Sequence, residues 1–548
     1  MVLSGARRAA TARTAAPPAA GQWVRRTVIV SLKLFRNLNR RERLAIAATL
    51  IIALCLLAVP LRHLWRTTFA SAPASGGLLR EGLFQPVNTL NPFLVNNQSE
   101  RALVVLLFDP LLADDGHGGF SYQLATRITE LDRGLRYVVA LREDRIWSNG
   151  ERITADDVVY AFETLRRSGP EETRNLFADI EATKVDTYQI AFTLKVRDAS
   201  FLFKLAQLRP VPRAVWERFP AEQWPTREME LLEVVSGPFR LASRDINAGH
   251  FVFSLNEHHR PRPYLLGISF TTYTDLEGAI EALRLREIDA LGGIPANVLD
   301  SAMSKRLRLV RITLPRVVGL FLNSRELPGV DARTLASQID RQTIRREVFS
   351  GEAEASAGLF SPTIRQLLKL PPFDPSLALR PGRSVSTMPI EVTVPEHYAF
   401  QRMAEVLKTV IPIKARVESA ERINAELLRQ KRYQAILFGI NYNLPPNLTP
   451  FFFDRSPFNL IGESSPALTR TLQQLAVADL RGAEARDALL TLEREVLATG
   501  QVIFLVNPYY LYLVPRQLGG VDLAVLRQPE DRFATIASWY LNTRTRWR

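Results

Sequence analysis

"PIEVTVPEHYAFQRMAEVLKTVIPIKARVESAERINAELLRQKRYQAILFGI", residues 389–440, alternates three short β-branched runs with two stretches that repeat apolar residues at helical spacing. The strand-like runs are PIEVTV, IKARVES and YQAILFGI, and the helical ones pass through FQRMAEVLKTV and INAELLRQ. A helix between each pair of strands means that the chain must cross over each time, which predicts parallel pairing with right-handed crossovers. That is a doubly wound α/β lobe. Ligands of such sheets gather outside the carboxyl ends of the strands, and the segment leaving the last strand is NYNLPPN, 441–447. Asn441, Tyr442 and Asn443 are therefore candidate ligand contacts, combining amides with a phenol at a crevice position. The alternative is a solvated loop stiffened by Pro445 and Pro446.

Upstream the rhythm changes. Strand-like pieces such as YVVALRED (137–144), YQIAFTLKV (188–196), GPFRLASRD (237–245) and FVFSLNE (251–257) are separated by turns and single helices, a mixed α+β pattern. In WSNGERITADDVVYAFETL, 147–165, Thr154 stands three residues before Asp157 and ahead of Val158, Val159, Phe162 and Leu165. This is a capping arrangement in which hydroxyl and carboxylate satisfy orphan N–H groups, so Asp156 and Asp157 mark a helix start and not a catalytic pair. Thr274 and Glu277 repeat the spacing ahead of Ala279, Ile280 and Leu283. The run NPYYLYLV, 507–514, alternates aromatic and aliphatic residues as a core strand does.

The 548 residues carry a formal charge of +14. Residues 1–66 hold twelve Arg and Lys against one acid, Glu42, a net +11 that leaves only +3 for the rest. A nucleic-acid-binding body needs its basic excess on the folded part, so no nucleic-acid partner is expected. The cause of the asymmetry is LAIAATLIIALCLLAVPL, 44–61, eighteen uncharged residues bracketed by Arg43 and Arg62. At 1.5 Å per residue they span about 27 Å, close to a bilayer's hydrocarbon core. The basic flank RNLNRRER, 36–43, keeps that end cytoplasmic. The expectation is a single-pass signal anchor in the plasma membrane, with the remaining chain outside.

Few chemistries fit the body. Cys55, the only cysteine, lies within the apolar run, so disulfides, Cys-ligated zinc and a thiol nucleophile are excluded outside it. The six histidines are scattered, and only His258 and His259 adjoin. No phosphate-binding glycine loop and no Gly-x-Ser-x-Gly elbow is present. No catalytic residues, no metal site and no cofactor are expected.

LREGLFQPVNTLNPF (79–93), the stretch from 124 to 165, GPFRLASRD with LNEHHRPRPYL (255–265), AIEALRLREIDALGGIP (279–295) and LFLNSRELPGVDARTLASQIDRQTI (320–344) occur in one order. In that order they resemble the segments of family 5 extracellular solute-binding proteins, the peptide- and nickel-type receptors of ABC importers. The resemblance covers 79–513. It implies an α/β, two-lobed periplasmic-binding-protein-like fold (class II, large cluster C type), here behind one N-terminal transmembrane helix. The implied division is a basic tail 1–43, the helix 44–63, a linker 64–77, lobe I at 78–316, lobe II at 317–500 and a return to lobe I at 501–548. It also implies a monomeric, non-enzymatic receptor that binds a peptide or similar oligomeric solute and delivers it to a permease driven by a separate ATPase. Several peptide-binding members carry an aspartate in the loop matching 441–447 that pairs with a ligand's amino terminus, and this chain has no acid there. A charge-assisted bond to a free ammonium is thereby lost. Asn323 at the lobe junction, with Asn91 and Asn97 after the first strand, complete the candidate contacts. The reading from another class is a cell-surface interaction protein that keeps the fold without transport.

Overall fold

Alternation in the run RVVGLFL decides how the second half of the chain is built. In this computed structural model Arg316–Leu322 is a strand whose Val317 and Phe321 face one apolar layer, with Ile436 and Ile440, while Val318, Leu320 and Leu322 face another, with Leu437. A strand covered on both faces reads as continuous apolar sequence. The sheet has six strands in the order Ala353–Ala355, Val502–Pro508, Arg316–Leu322, Ala435–Asn441, Ile390–Pro395 and Ile413–Glu418. Ile390–Pro395 pairs parallel with both Ile413–Glu418 and Ala435–Asn441. The expected parallel β-α-β-α-β unit is present, with the helix Tyr398–Lys408 as its first crossover.

The structure describes residues 69–169, 174–175, 177–298, 301–379, 389–444, 446–478 and 483–547, together with 39–42, 44–49, 51–52 and 56. Residues 73–543 cluster as one unit, and 1–72 with 544–548 as another, whose described part includes helical residues between 40 and 56. Among the described residues no helix is long and apolar enough to cross a membrane. Of the expected span 44–63, residues 50, 53–55 and 57–63 lie outside the described residues.

A seven-stranded sheet organises the first half in the order Leu307–Ile312, Tyr510–Pro515, Ala290–Gly292, Leu78–Leu83, Gly267–Thr272, His250–Leu255 and Phe239–Asp245. Beside it, Ala125–Leu131, Arg136–Leu141, Gln189–Leu194 and Ile180–Asp186 form an antiparallel four-stranded sheet. The chain passes between the seven- and six-stranded sheets at 313–315 and returns at Tyr509. Val502–Pro508 therefore belongs to the six-stranded sheet, paired with Arg316–Leu322, although the sequence placed it in the return from 501.

Thr154 caps the helix Ala155–Ser168 as expected: its N–H donates to Asp157 Oδ2 at 2.9 Å, and its hydroxyl lies 3.2 Å from the same oxygen. Asp157 Oδ1 also accepts the Arg213 N–H, and Asp156 pairs with Lys184 at 2.6 Å. Both carboxylates are thus engaged in holding structure. The expected Thr274 cap is displaced by one residue, because Asp275 is the N-cap of Leu276–Leu285 and accepts the Gly278 N–H at 2.7 Å.

Candidate functional site

Antiparallel pairing puts the start of Arg316–Leu322 opposite the end of Ala435–Asn441, with Arg316 facing Asn441. The carboxyl ends of the parallel strands thus lie on the edge where the chain crosses to the other sheet. Asn441 is exposed there and Asn443 half-buried. Tyr442 is different. Its N–H donates to Pro315 O at 2.9 Å, tying the loop to the crossover, and its ring packs edge-on to Phe360 inside the apolar layer. Only 3% of the residue is exposed, and its buried hydroxyl has no hydrogen-bond partner among the described residues. Burial, with Glu493 and Glu354 nearby, holds the phenol far above its usual range. Strand alternation carried one position past Asn441 turns this side chain into the core.

The other three asparagines are engaged by backbone. Asn323 is fully buried and donates to Lys431 O and Tyr433 O, each at 3.0 Å, while accepting the Arg325 N–H. Asn91 accepts the Phe93 N–H at 2.9 Å, although its Nδ2 is buried without a partner among the described residues. Asn97 is the N-cap of Gln98–Leu107, accepting from Glu100, and it donates to Pro86 O. Asn91 and Asn97 bracket local turns, whereas Asn323 ties its strand end to the segment 431–433, more than a hundred residues on.

A cavity of about 560 Å³ lies in the first half, and its walls come from residues that no local motif links. Phe93 and Val104 supply apolar wall, and Phe120 closes one side. Arg101 is paired with Glu530 at 2.7 Å. Arg527 bonds to Asp114 at 3.0 Å, to the carbonyls of Gly118 and Gly119 at 2.7 Å, and stacks 3.6 Å over Phe120. His259 Nε2 donates to Asp109 Oδ2 at 3.1 Å. Burial alone would lower its pKa, but the Asp109 carboxylate outweighs that and raises it.

Arg209 stands out among these cations. Its one hydrogen bond is a long one, 3.4 Å to Phe108 O, and among the described residues no carboxylate lies within ion-pair distance. Burial lowers its pKa, opposed by the more distant charges of Asp531, Asp109 and Glu530. Asp531 faces the same cavity, accepts the Gln528 N–H at 3.1 Å, and is pushed up to about 8 by burial and by its neighbours Asp114 and Glu530. At neutral pH the cavity therefore holds, among the described residues, a guanidinium without an ion-pair partner beside a mostly protonated carboxyl, an arrangement chemically able to accept an acidic group. Arg527 Nε also lies 3.5 Å from Leu444 O, so one cavity wall borders the loop after Ala435–Asn441.

Two mixed α/β halves are joined by paired crossovers, and the first of them holds a charged cavity. Residues 119–380 match the family described as bacterial extracellular solute-binding proteins, family 5 middle. The oligopeptide-binding protein AppA of Bacillus subtilis is 23% identical over 297 residues, 52% of this chain and 54% of that protein. The nickel-binding periplasmic protein of Escherichia coli is 24% identical over 311 residues, 54% of this chain and 58% of that one. The chain thus spans a little over half the length of these curated relatives. The solved structure of B. subtilis AppA in complex with a nonapeptide aligns with a TM-score of 0.66 at 18% identity, covering 86% of this chain and all of that one. Residues 119–380 thus carry the family 5 match, and the chain shares the fold of that solved relative. Members of this family bind solutes and do not transform them.

Proposed function

We propose that the chain is the extracytoplasmic substrate-binding component of an ABC importer, taking a peptide or similar oligomeric solute between its two halves and handing it to a permease. In this reading lobe I comprises 78–316 with the chain after Tyr509, lobe II comprises the six-stranded sheet and its helices, and the run 44–61 tethers the monomer to the plasma membrane. The observation that carries it is Arg209: a half-buried guanidinium with no carboxylate in ion-pair distance among the described residues, facing a cavity large enough for a short peptide, is completed by a ligand's acidic group. Asn441 and Asn443 face the solute from the second half, while Tyr442 supports the loop from beneath. AppA, the structural relative above, was solved with a nonapeptide, which supports an oligomeric ligand.

The full chain in detergent, incubated with pooled tripeptides and stripped of free peptide, tests this by mass spectrometry of what is retained. Retention by the natural protein and at least tenfold less by Arg209→Met, at similar melting temperature, is expected. Equal retention removes Arg209 from the site; no retention by either favours the interaction-protein reading.

A further inference from the structure

The hinge edge of the six-stranded sheet holds a second guanidinium whose needs the fold leaves open. Arg316 Nε and Nη2 both donate to the single carbonyl of Pro508, at 3.0 and 2.6 Å. Among the described residues no carboxylate lies within ion-pair distance of it, and the residue is half-buried. Alternation sets it beside Asn441 on the face that carries Val318 and Leu320. His397, exposed at the end of Ile390–Pro395 and capping Tyr398–Lys408, sits close enough for the Arg316 charge to act on it: burial, then Arg316, depress its pKa. Nothing acidic answers this group from either strand, and the loop 441–447 contains no acid.

We propose that Arg316, with Asn441 and His397 beside it, forms an acid-recognition subsite on the second half, so that the solute carries two acidic groups, one for Arg209 and one for Arg316. The inference rests on the importer reading and sharpens it: the ligand is a short oligomer acidic at both ends, not a zwitterion whose ammonium must be met. A second carboxylate gains a charge-assisted pair with a guanidinium that already has its desolvation cost partly met by the fold. Arg209 follows the helix Phe201–Gln207 in the first half and Arg316 opens a strand of the six-stranded sheet, so a solute with both groups pairs with a guanidinium on each half.

Calorimetry on the full chain in detergent uses three matched probes: succinyl-trialanine with two carboxylates, acetyl-trialanine with one, and acetyl-trialanine amide with none. The expected order is succinyl-trialanine at least tenfold tighter than acetyl-trialanine, with the amide weakest. Arg316→Met should erase the advantage of the succinyl group while leaving acetyl-trialanine binding and the melting temperature nearly unchanged, and Arg316→Lys should restore part of it. Imidazole NMR adds an independent readout, since succinyl-trialanine should raise the His397 pKa in the natural protein and not in Arg316→Met. Equal affinity for the one- and two-carboxylate probes, or an undiminished succinyl advantage in Arg316→Met, overturns the subsite and leaves the importer reading standing. Failure of all three probes to bind the natural protein overturns both.

Discussion

Asp531 and Arg209 occupy one cavity, and the proton on Asp531 sets how strongly Arg209 draws an acid. The folded carboxyl holds its proton up to about pH 8, whereas an unfolded aspartate loses it near pH 4. Between those values the folded chain binds the extra proton, so stability falls as pH rises through this window. His259, whose pKa is raised, acts in the same direction from its unfolded value near 6.5 upward. Asp531→Asn is therefore expected to flatten the pH dependence of the denaturation midpoint between about 4 and 8, leaving a residual slope from His259. Ionisation of Asp531 above pH 8 also compensates Arg209, so calorimetric affinity for an acidic peptide should fall there, and fall less in Asp531→Asn. Neither residue was legible in the sequence. Each is an isolated charge far from its partner in the chain, and only the fold shows that Arg209 lacks a carboxylate. Tyr442 failed for a related reason: its type suits a ligand contact, but its facing depends on strand parity relative to a core invisible in the local sequence.

Helices and hairpins were read more fully, because their signals lie within a few residues. The Thr154–Asp157 cap was legible from spacing alone, and Thr154→Ala is expected to cost roughly 0.5–2 kcal/mol in chemical denaturation with no separate loss of binding. At Thr274 the sequence offers two adjacent capping residues, and Asp275 prevails since its carboxylate is the better acceptor for the first-turn N–H groups. The parallel unit 389–440 was legible for the same local reason, each strand being short and each crossover helical. The hairpin of Leu112–Asp114 and Phe120–Tyr122 is held otherwise, by Arg527 reaching from the far end of the chain to Asp114 and the turn carbonyls. Arg527→Met leaves Asp114 buried without its partner, so it is expected to destabilise by about 3–5 kcal/mol. Asp114→Asn in the same chain should recover part of that loss, a coupling that a double-mutant cycle measures.

For the whole molecule, two expectations follow from the charge asymmetry and the paired crossovers. The apolar run 44–61 with its basic flank should keep the full-length protein in the membrane fraction through alkaline carbonate extraction, and recovery as a soluble fragment starting after residue 61 would contradict an anchor. The crossings at 313–315 and at Tyr509 lie side by side, so the two halves are linked by short segments that can absorb a hinge rotation. A solute that touches both halves gains more in a closed arrangement than in an open one and shifts the population toward it. Neutron scattering on the full chain, with the detergent contrast-matched, compares protein stripped of ligand with protein loaded with the peptide it retains. A smaller radius of gyration in the loaded state, abolished by Arg209→Met, is the predicted result; superimposable curves at saturating retained peptide would contradict binding between the halves.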